Sequence, residues 1–279
     1  YCIRMYNKVS ILINTCDNYH DVLPLFFSAF KEYWPQNDFP IYLNSEHKNF
    51  EFDGLEIKSC TILKNEDANW GYRFKKALNQ IESEYIITLF DDYILESNVN
   101  NDLINYSILR LDTDINTGGI YFFPFFKKEN MQKTNNDYFV KTDESVPYRI
   151  NTSPAIWRKS FLKKLISKKD DPWSWEAFAH LKQVAKSSKV LSIPNNGLPA
   201  YNYAASKGGA IYRGRWVTSV VEAKFKKYKI QIDLNKRGIN SKNVIQSRSL
   251  IWKIKFLVSG LRMVGLKMIF FIIGNYKKF

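Results

Sequence analysis

Asp91 and Asp92 stand side by side, straight after the apolar run Tyr85-Ile86-Ile87-Thr88-Leu89-Phe90. That run reads as a buried strand, and in open α/β sheets ligands bind beyond the carboxyl ends of such strands. Two adjacent carboxylates repel each other when both are ionised, so a pair at this place asks for a cation. Carboxylates suit Mg²⁺ or Mn²⁺, which take few protein ligands and complete their shells with water and substrate phosphates. The same dipeptide also serves as a helix cap plus a solvated acid, and by itself it leaves both readings open. A second acidic group is Asp170-Asp171-Pro172-Trp173-Ser174-Trp175-Glu176, at the opening of a helix. A carboxylate there can take the proton of an attacking hydroxyl, or simply complement the helix dipole. The third is Lys207-Gly208-Gly209-Ala210-Ile211-Tyr212-Arg213-Gly214-Arg215-Trp216. Its glycines permit close backbone approach, and Lys207, Arg213 and Arg215 suit a diphosphate. An exposed basic turn has the same composition. No strand precedes it with the glycine spacing of a phosphate-binding or dinucleotide fingerprint.

The elements that must position these groups alternate. Val9–Asn14 reads as a buried first strand ending in the polar loop Thr15-Cys16-Asp17-Asn18. Helical spacing continues from about Tyr19 to Tyr33, closed by Pro35, with strands at Pro40–Asn44 and Glu56–Leu63. The spacing predicts a helix over Asp67–Ile81, capped by Asn65 or Asp67, with Trp70, Phe74, Ala77, Leu78 and Ile81 inward. After Tyr85–Phe90 come a helix from Asn101 to Leu111, a strand at Gly118–Phe123 and a polar, aperiodic stretch over Lys127–Val146. A helix through Ile166 and another opened by Asp171-Pro172 complete the series. Such alternation predicts an α/β fold with a mostly parallel sheet.

A first strand ending in Thr15-Cys16-Asp17, a helix bearing Trp70 and Arg73, and a strand ending in Asp91-Asp92 resemble the GT-A glycosyltransferases. The order and spacing are similar to the family-2-like bacterial enzymes that build O-antigen and capsular chains, over roughly residues 8 to 216. The resemblance implies a GT-A, Rossmann-like mixed sheet flanked by helices. Residues 1–216 would be the catalytic domain, its nucleotide-sugar half about 1–97 and its acceptor half about 98–216. It further implies that Thr15 and Asp17 line the nucleoside pocket, and that Arg73 contacts the base or diphosphate. Asp91 and Asp92 would hold Mg²⁺ or Mn²⁺, with Lys207, Arg213 and Arg215 toward the donor's diphosphate. Glu176 would be the base of an inverting transfer, with Asp171 and Asp170 as the other candidates, and Trp173 or Trp175 the acceptor platform. The family's Asp-x-Asp is not present: Phe90 or Tyr93 stands where that motif has an acid. The implied donor is a nucleoside-diphosphate sugar, a UDP-sugar foremost, carrying a hexosyl or galactofuranosyl group. The implied acceptor is a lipid-linked oligosaccharide.

Charge divides the chain. Of 41 Lys and Arg and 27 Asp and Glu, seventeen basic residues but only the acids Glu222 and Asp233 fall from Lys207 onward. That leaves 24 basic and 25 acidic residues before it, a neutral body with a basic tail that must meet something anionic. Residues 217–279 read as a basic helical region. Wound as one helix, Ser249–Gly274 puts Arg248, Lys255, Ser259 and Arg262 on one stripe opposite an apolar half. Arg262 and Lys267 interrupt the ~20 apolar residues a membrane span needs. The pattern therefore reads as an in-plane helix on anionic lipid, or as an ordinary packing or dimerising helix. The first places the chain peripherally at the cytoplasmic face of a bacterial inner membrane. Three scattered cysteines and no signal-peptide pattern at the start agree with a reducing cytoplasm. Two other classes fit less well. A nucleic-acid binder spreads cations over an aromatic face, whereas here they gather beside an apolar stripe. A different nucleotide-sugar or phosphate-handling α/β enzyme would need a phosphate-cradling glycine loop after the first strand, and Thr15–Asn18 holds no glycine.

Overall fold

A computed structural model describes residues 8–124, 131–133, 138–240 and 248–274. Its framework begins with β1 (Val9–Asn14), six consecutive buried residues in the interior of the sheet, between β2 and β4. In chain order there come next α1 (Leu23–Tyr33), β2 (Ile41–Asn44), β3 (Ile57–Cys60), α2 (Trp70–Gln80), β4 (Tyr85–Phe90), α3 (Asn101–Thr113) and β5 (Thr117–Tyr121). The second half holds β6 (Met131–Lys133), β7 (Val140–Thr142), β8 (Ala155–Arg158), α4 (Lys159–Leu165), α5 (Pro172–Phe178), α6 (Gln183–Lys186) and β9 (Lys189–Ser192). After it come the two-residue strands β10 (Ile211–Tyr212) and β11 (Arg215–Trp216), then α7 (Thr218–Tyr228), α8 (Leu234–Arg237), α9 (Leu250–Val264) and α10 (Lys267–Gly274).

Nine strands form one sheet in the order β3-β2-β1-β4-β8-β5-β9-β7-β6. Seven run one way; β7 and β8 run against them. The fold is thus α/β, a mostly parallel mixed sheet flanked by helices, as the alternation of elements predicts. Side chains alternate across each strand. Val9, Ile11 and Ile13 of β1 enter the core under α1 and α3, while Leu12 enters the core under α2 and α4. The carboxyl ends of β1, β2 and β4 come level: Asn14 pairs with Asn44 on one side and with Phe90 on the other. The loops leaving those residues therefore meet at one rim.

Three local expectations change. Asn69, not Asn65 or Asp67, caps α2 by accepting from the Gly71 amide, while Asp67 accepts from the Asn69 amide one turn earlier. Within the polar stretch 127–146, Met131–Lys133 and Val140–Thr142 are edge strands; residues 127–130 and 134–137 lie outside the described residues. The tail is not one helix but two, broken at Gly265, whose φ of 62° lies in the left-handed region. Nor is it detached from the body. Val220 and Val221 of α7 belong to the main core, and α9 lies on α5, where Phe178 and Met268 form a small core with Phe256. Gly260 makes that approach possible, since a Cβ there would stand 2.6 Å from the Phe178 ring. Among the described residues no helix is long and apolar enough to cross a membrane.

Candidate active site

At the rim of β1, β2 and β4 opens a cavity of about 850 Å³. Its floor is built by the strand ends themselves. The Asn44 amide donates to Asn14 Oδ1 at 2.8 Å, and the Asn14 amide to the Leu89 carbonyl at 3.3 Å, which locks the three strands together. The Thr15 hydroxyl donates to the Asp91 carboxylate, and the Asp91 amide donates to the Asn14 carbonyl at 3.2 Å. Asp91 is 4% exposed and aimed into the cavity, with half-buried Asp92 beside it on the same wall. Burial pushes the Asp91 carboxyl up to about 7, against the pull of Thr15 and of Arg237. Asp92 is raised well above the ordinary value, first by burial and then by the charge of Asp91.

The glycine-rich loop crosses in front of this pair. The Ala210 amide donates to the Asp92 carbonyl at 2.8 Å. At Gly209, φ is +92° and a Cβ would lie 2.9 Å from both the Asp92 carbonyl and its Oδ2. Only glycine satisfies both conditions. Arg237 fastens the loop to the body: it pairs with Asp21, donates to the Gly214 carbonyl at 3.4 Å, and lies 4.4 Å over the Tyr19 ring. Of the three cations expected to meet a diphosphate, Arg213 lines the cavity, while Lys207 and Arg215 are outside its lining.

α5 contributes another part of the wall. Glu176 lines the cavity and accepts from the Thr152 amide at 2.8 Å and from the Thr152 hydroxyl, both on Oε1. With its own proton spent there, Thr152 Oγ1 accepts from the Tyr93 hydroxyl at 3.0 Å. Oε2 is left for the cavity. Burial raises the Glu176 carboxyl, and the Thr152 bonds oppose that rise. Asp171 also borders the cavity, but it is the N-cap of α5. It accepts from the Ser174 amide at 3.0 Å and from the Ser174 and Ser259 hydroxyls. Asp170 is buried in an ion pair with Lys182 at 2.8 Å. Among the acids expected to act as base, Glu176 alone keeps an oxygen for a substrate. Trp173 is 50% exposed at the cavity mouth, whereas Trp175 is 2% exposed and packed edge-on against Trp70 at 5.7 Å. Trp175 is therefore a core ring and takes no acceptor.

Two further expectations shift. Arg73 borders the cavity, but its Nε and Nη1 donate to the carbonyls of Ala68 and Thr15 at 3.0 and 2.9 Å, so it braces the wall behind Thr15. Asp17 accepts from the amides of His47 and Lys48 at 3.1 and 3.2 Å and lies outside the lining. Its amide holds Glu46 Oε2 at 2.9 Å, and Glu46 is the acid from this loop pair that lines the cavity. The sequence held a signal for Glu46: it comes just after the carboxyl end of β2, as Asp91 comes after β4. Arg248, from the segment before α9, also reaches the cavity, and nothing local in the sequence marks it.

The paired aspartates fit a divalent cation. Both face one cavity, both are driven toward the protonated form by burial, and a cation would relieve that cost. The described residues hold no cluster of three or more His, Cys, Asp or Glu able to cage a metal, so water and a ligand's phosphates would complete the shell.

No family model and no curated protein matches the chain. Among solved structures it is similar to residues 1–349 of S. aureus TarS, at 12% identity and TM-score 0.46, covering 68% of this chain and 59% of that one. It is similar to the Pyrobaculum calidifontis mannosyltransferase PcManGT in complex with GDP-Man and Mn²⁺, at 12% identity and TM-score 0.43, covering 72% and 59%. The 2-C-methyl-D-erythritol 4-phosphate cytidylyltransferase from Thermus thermophilus aligns at 11% identity and TM-score 0.43, covering 79% and 98%. The chain thus spans under two thirds of the first two. Scores this low do not decide a function, which has to come from the site.

Proposed function

We propose that this chain is a GT-A glycosyltransferase that moves a sugar from a nucleoside-diphosphate sugar, a UDP-sugar foremost, to a hydroxyl of a lipid-linked glycan in bacterial surface-polysaccharide synthesis. One observation carries the reading: Asp91, Asp92 and Glu176 line a single cavity at the strand rim. Mg²⁺ or Mn²⁺ held by Asp91 and Asp92 would neutralise the donor's diphosphate. Arg213 adds positive charge where the leaving diphosphate gathers its negative charge. Glu176 Oε2 accepts the acceptor's hydroxyl proton as that oxygen attacks the anomeric carbon, which gives inversion. Trp173 offers a flat face for the acceptor sugar. Calorimetry with UDP, GDP, dTDP and CMP, each with and without Mn²⁺, tests the donor half. UDP should bind most tightly and gain affinity with Mn²⁺. Equal binding of all four, or none, would overturn it.

The proposed place of work is the cytoplasmic membrane surface, and α9 supports it. Its inner face packs on α5, and the face opposite carries Leu250, Ile254, Leu257 and Leu261, all exposed. Exposed Lys253 flanks that face on one side, and Lys255 and Arg262 on the other. Each large side chain contributes ~1.5–3 kcal/mol on full burial, and each cation ~1 kcal/mol near an anionic leaflet. The apolar contribution is the larger, so high salt should weaken vesicle flotation only in part. The double change Leu257→Asp and Leu261→Asp should abolish it without unfolding the protein, because both positions are exposed. Flotation equal to the unmodified protein, or its loss accompanied by loss of a dimer, would assign the face to another role.

A further inference from the structure

A second cavity, of about 440 Å³, opens beyond the carboxyl end of β9. β9 runs the same way as β4 and stands three places from it in the sheet, roughly 14 Å at a strand spacing of about 4.8 Å. The loop after β9 is tied down at both ends. The Ser192 hydroxyl donates to the Phe123 carbonyl at 3.3 Å, the Ala200 amide to the Phe122 carbonyl at 2.8 Å, and the Asn100 amide to the Ala200 carbonyl at 3.0 Å. Between these ties the Gly197 amide closes a turn on the Pro194 carbonyl at 2.8 Å. Tyr138 rests on that turn, and a Cβ at Gly197 would stand 2.6 Å from the tyrosine hydroxyl. Behind the Tyr138 ring, Phe139 meets it edge-on at 5.6 Å and itself stacks on Tyr106 at 5.4 Å. Phe139 is buried, whereas Tyr138 is 40% exposed. A ring anchored in this way loses little freedom when a ligand covers it.

The lining narrows the occupant's class. Among the described residues it contains no charged side chain, in a chain whose net charge is +14, so it is not built for a nucleotide or another anion. Asn100 uses its side-chain oxygen to accept from the Leu103 amide at 3.1 Å and keeps its Nδ2 as a donor. Asn196, on the turn, presents an exposed carboxamide with both a donor and an acceptor. Leu198, 77% exposed, adds an aliphatic surface to that of the Tyr138 ring. A flat ring beside uncharged carboxamides suits a molecule with apolar C–H faces and a girdle of hydroxyls. We propose that this cavity is a remote glycan subsite, where Tyr138 stacks on an uncharged sugar and Asn100 and Asn196 bond its hydroxyls. The inference rests on the glycan acceptor proposed above and extends it. The acceptor chain is read at a second point, away from Glu176, and a longer chain gains affinity that a short one cannot.

An array of short neutral and uronate-containing oligosaccharides, probed with the full chain, finds the ligand, and calorimetry then measures it beside UDP. Neutral oligosaccharides should bind, and uronate-containing ones should bind less well. Tyr138→Ala should weaken the best neutral oligosaccharide about tenfold, while Tyr138→Phe, which keeps the ring, should hold most of the affinity. Asn196→Ala should weaken it severalfold through the lost hydrogen bonds. Both positions are exposed, so the melting temperature should not move. UDP affinity should be the same in all three variants. Unmodified protein that binds no neutral oligosaccharide would overturn the proposal and leave the donor reading untouched. So would full affinity in both Tyr138→Ala and Asn196→Ala, which would put the glycan elsewhere, or a preference for uronate chains, which the uncharged lining does not allow. If the neutral oligosaccharide binds with the Tyr138 dependence but UDP does not bind, the donor reading falls and the glycan subsite stands.

Discussion

Asp92→Asn is expected to give a protein that transfers no sugar and yet, free of metal at pH 8, melts at a higher temperature than the unmodified chain. Both halves come from the same two carboxylates. Asp91 is raised from 3.8 to about 7 by burial, and Asp92 is raised by burial and by Asp91. A carboxyl whose pKa rises on folding costs no stability below its unfolded value. It costs progressively more as pH climbs toward the folded value, and the full amount beyond it. For Asp91 the window runs from 3.8 to about 7, and Asp92, raised well above its ordinary value, adds a cost of the same sign, so at alkaline pH the metal-free pair strains the fold, and an uncharged Asn at position 92 relieves that strain. The clamp on the diphosphate is lost at the same time. Metal-ion stabilisation of a transition state amounts to several kcal/mol, so turnover should fall at least ~10³-fold. Thermal unfolding with and without Mn²⁺ separates the effects. Mn²⁺ should raise the melting temperature of the unmodified protein at pH 8 and leave Asp92→Asn unmoved, while at pH 4 the two should melt alike. Near-normal turnover in both Asp91→Asn and Asp92→Asn would end the metal assignment.

How much of this is legible in the sequence depends on whether each signal is local. β1 and β4 are mostly buried apolar residues, the composition that a strand buried on both faces favours. Asp91 and Asp92 inherit that clarity, because a position at a strand end is a local property. Orientation on a helix is not local. Trp173 and Trp175 sit on the same short helix, and which ring is open depends on Trp70, far away in the chain, filling the space beside Trp175. A helical wheel puts Ser259 on a solvated stripe between Lys255 and Arg262, yet it faces inward to Asp171. Its partner is distant, and the wheel carries no record of it. Asp17 and Glu46 exchange places for a similar reason. Both come just after strand ends, and only the hydrogen bonds from His47 and Lys48 decide which acid closes the loop and which faces the cavity. Arg248 leaves no local mark because it reaches the site from the other end of the chain.

Glu176→Gln should leave nucleotide affinity intact and lower turnover by ~10²–10⁴-fold, the usual scale for a lost general base. The substitution keeps the side chain's shape, and Thr152 can still donate to the amide oxygen as it does to Oε1. What disappears is the oxygen able to take a proton. The pH profile gives the stricter test. A base works in its ionised form, and burial raises the Glu176 carboxyl, so the acid limb of the rate should lie above the ordinary carboxylate range. Thr152→Val removes the hydroxyl that favours the ionised form and should shift that limb to still higher pH, with a smaller loss of plateau rate. A positioning residue acting only through shape would move the plateau and not the limb. Asp171→Asn provides the control on the same helix. It weakens the cap on α5 and the link to Ser259, so it should lower the melting temperature, while the position of the acid limb stays where Glu176 sets it. If instead Asp171→Asn removes the limb and Glu176→Gln keeps it, the base is Asp171 and the cap bonds must open during the reaction. If neither change touches it, proton transfer to a carboxylate of α5 is not part of the rate, and a double-displacement route with retention becomes the reading to test.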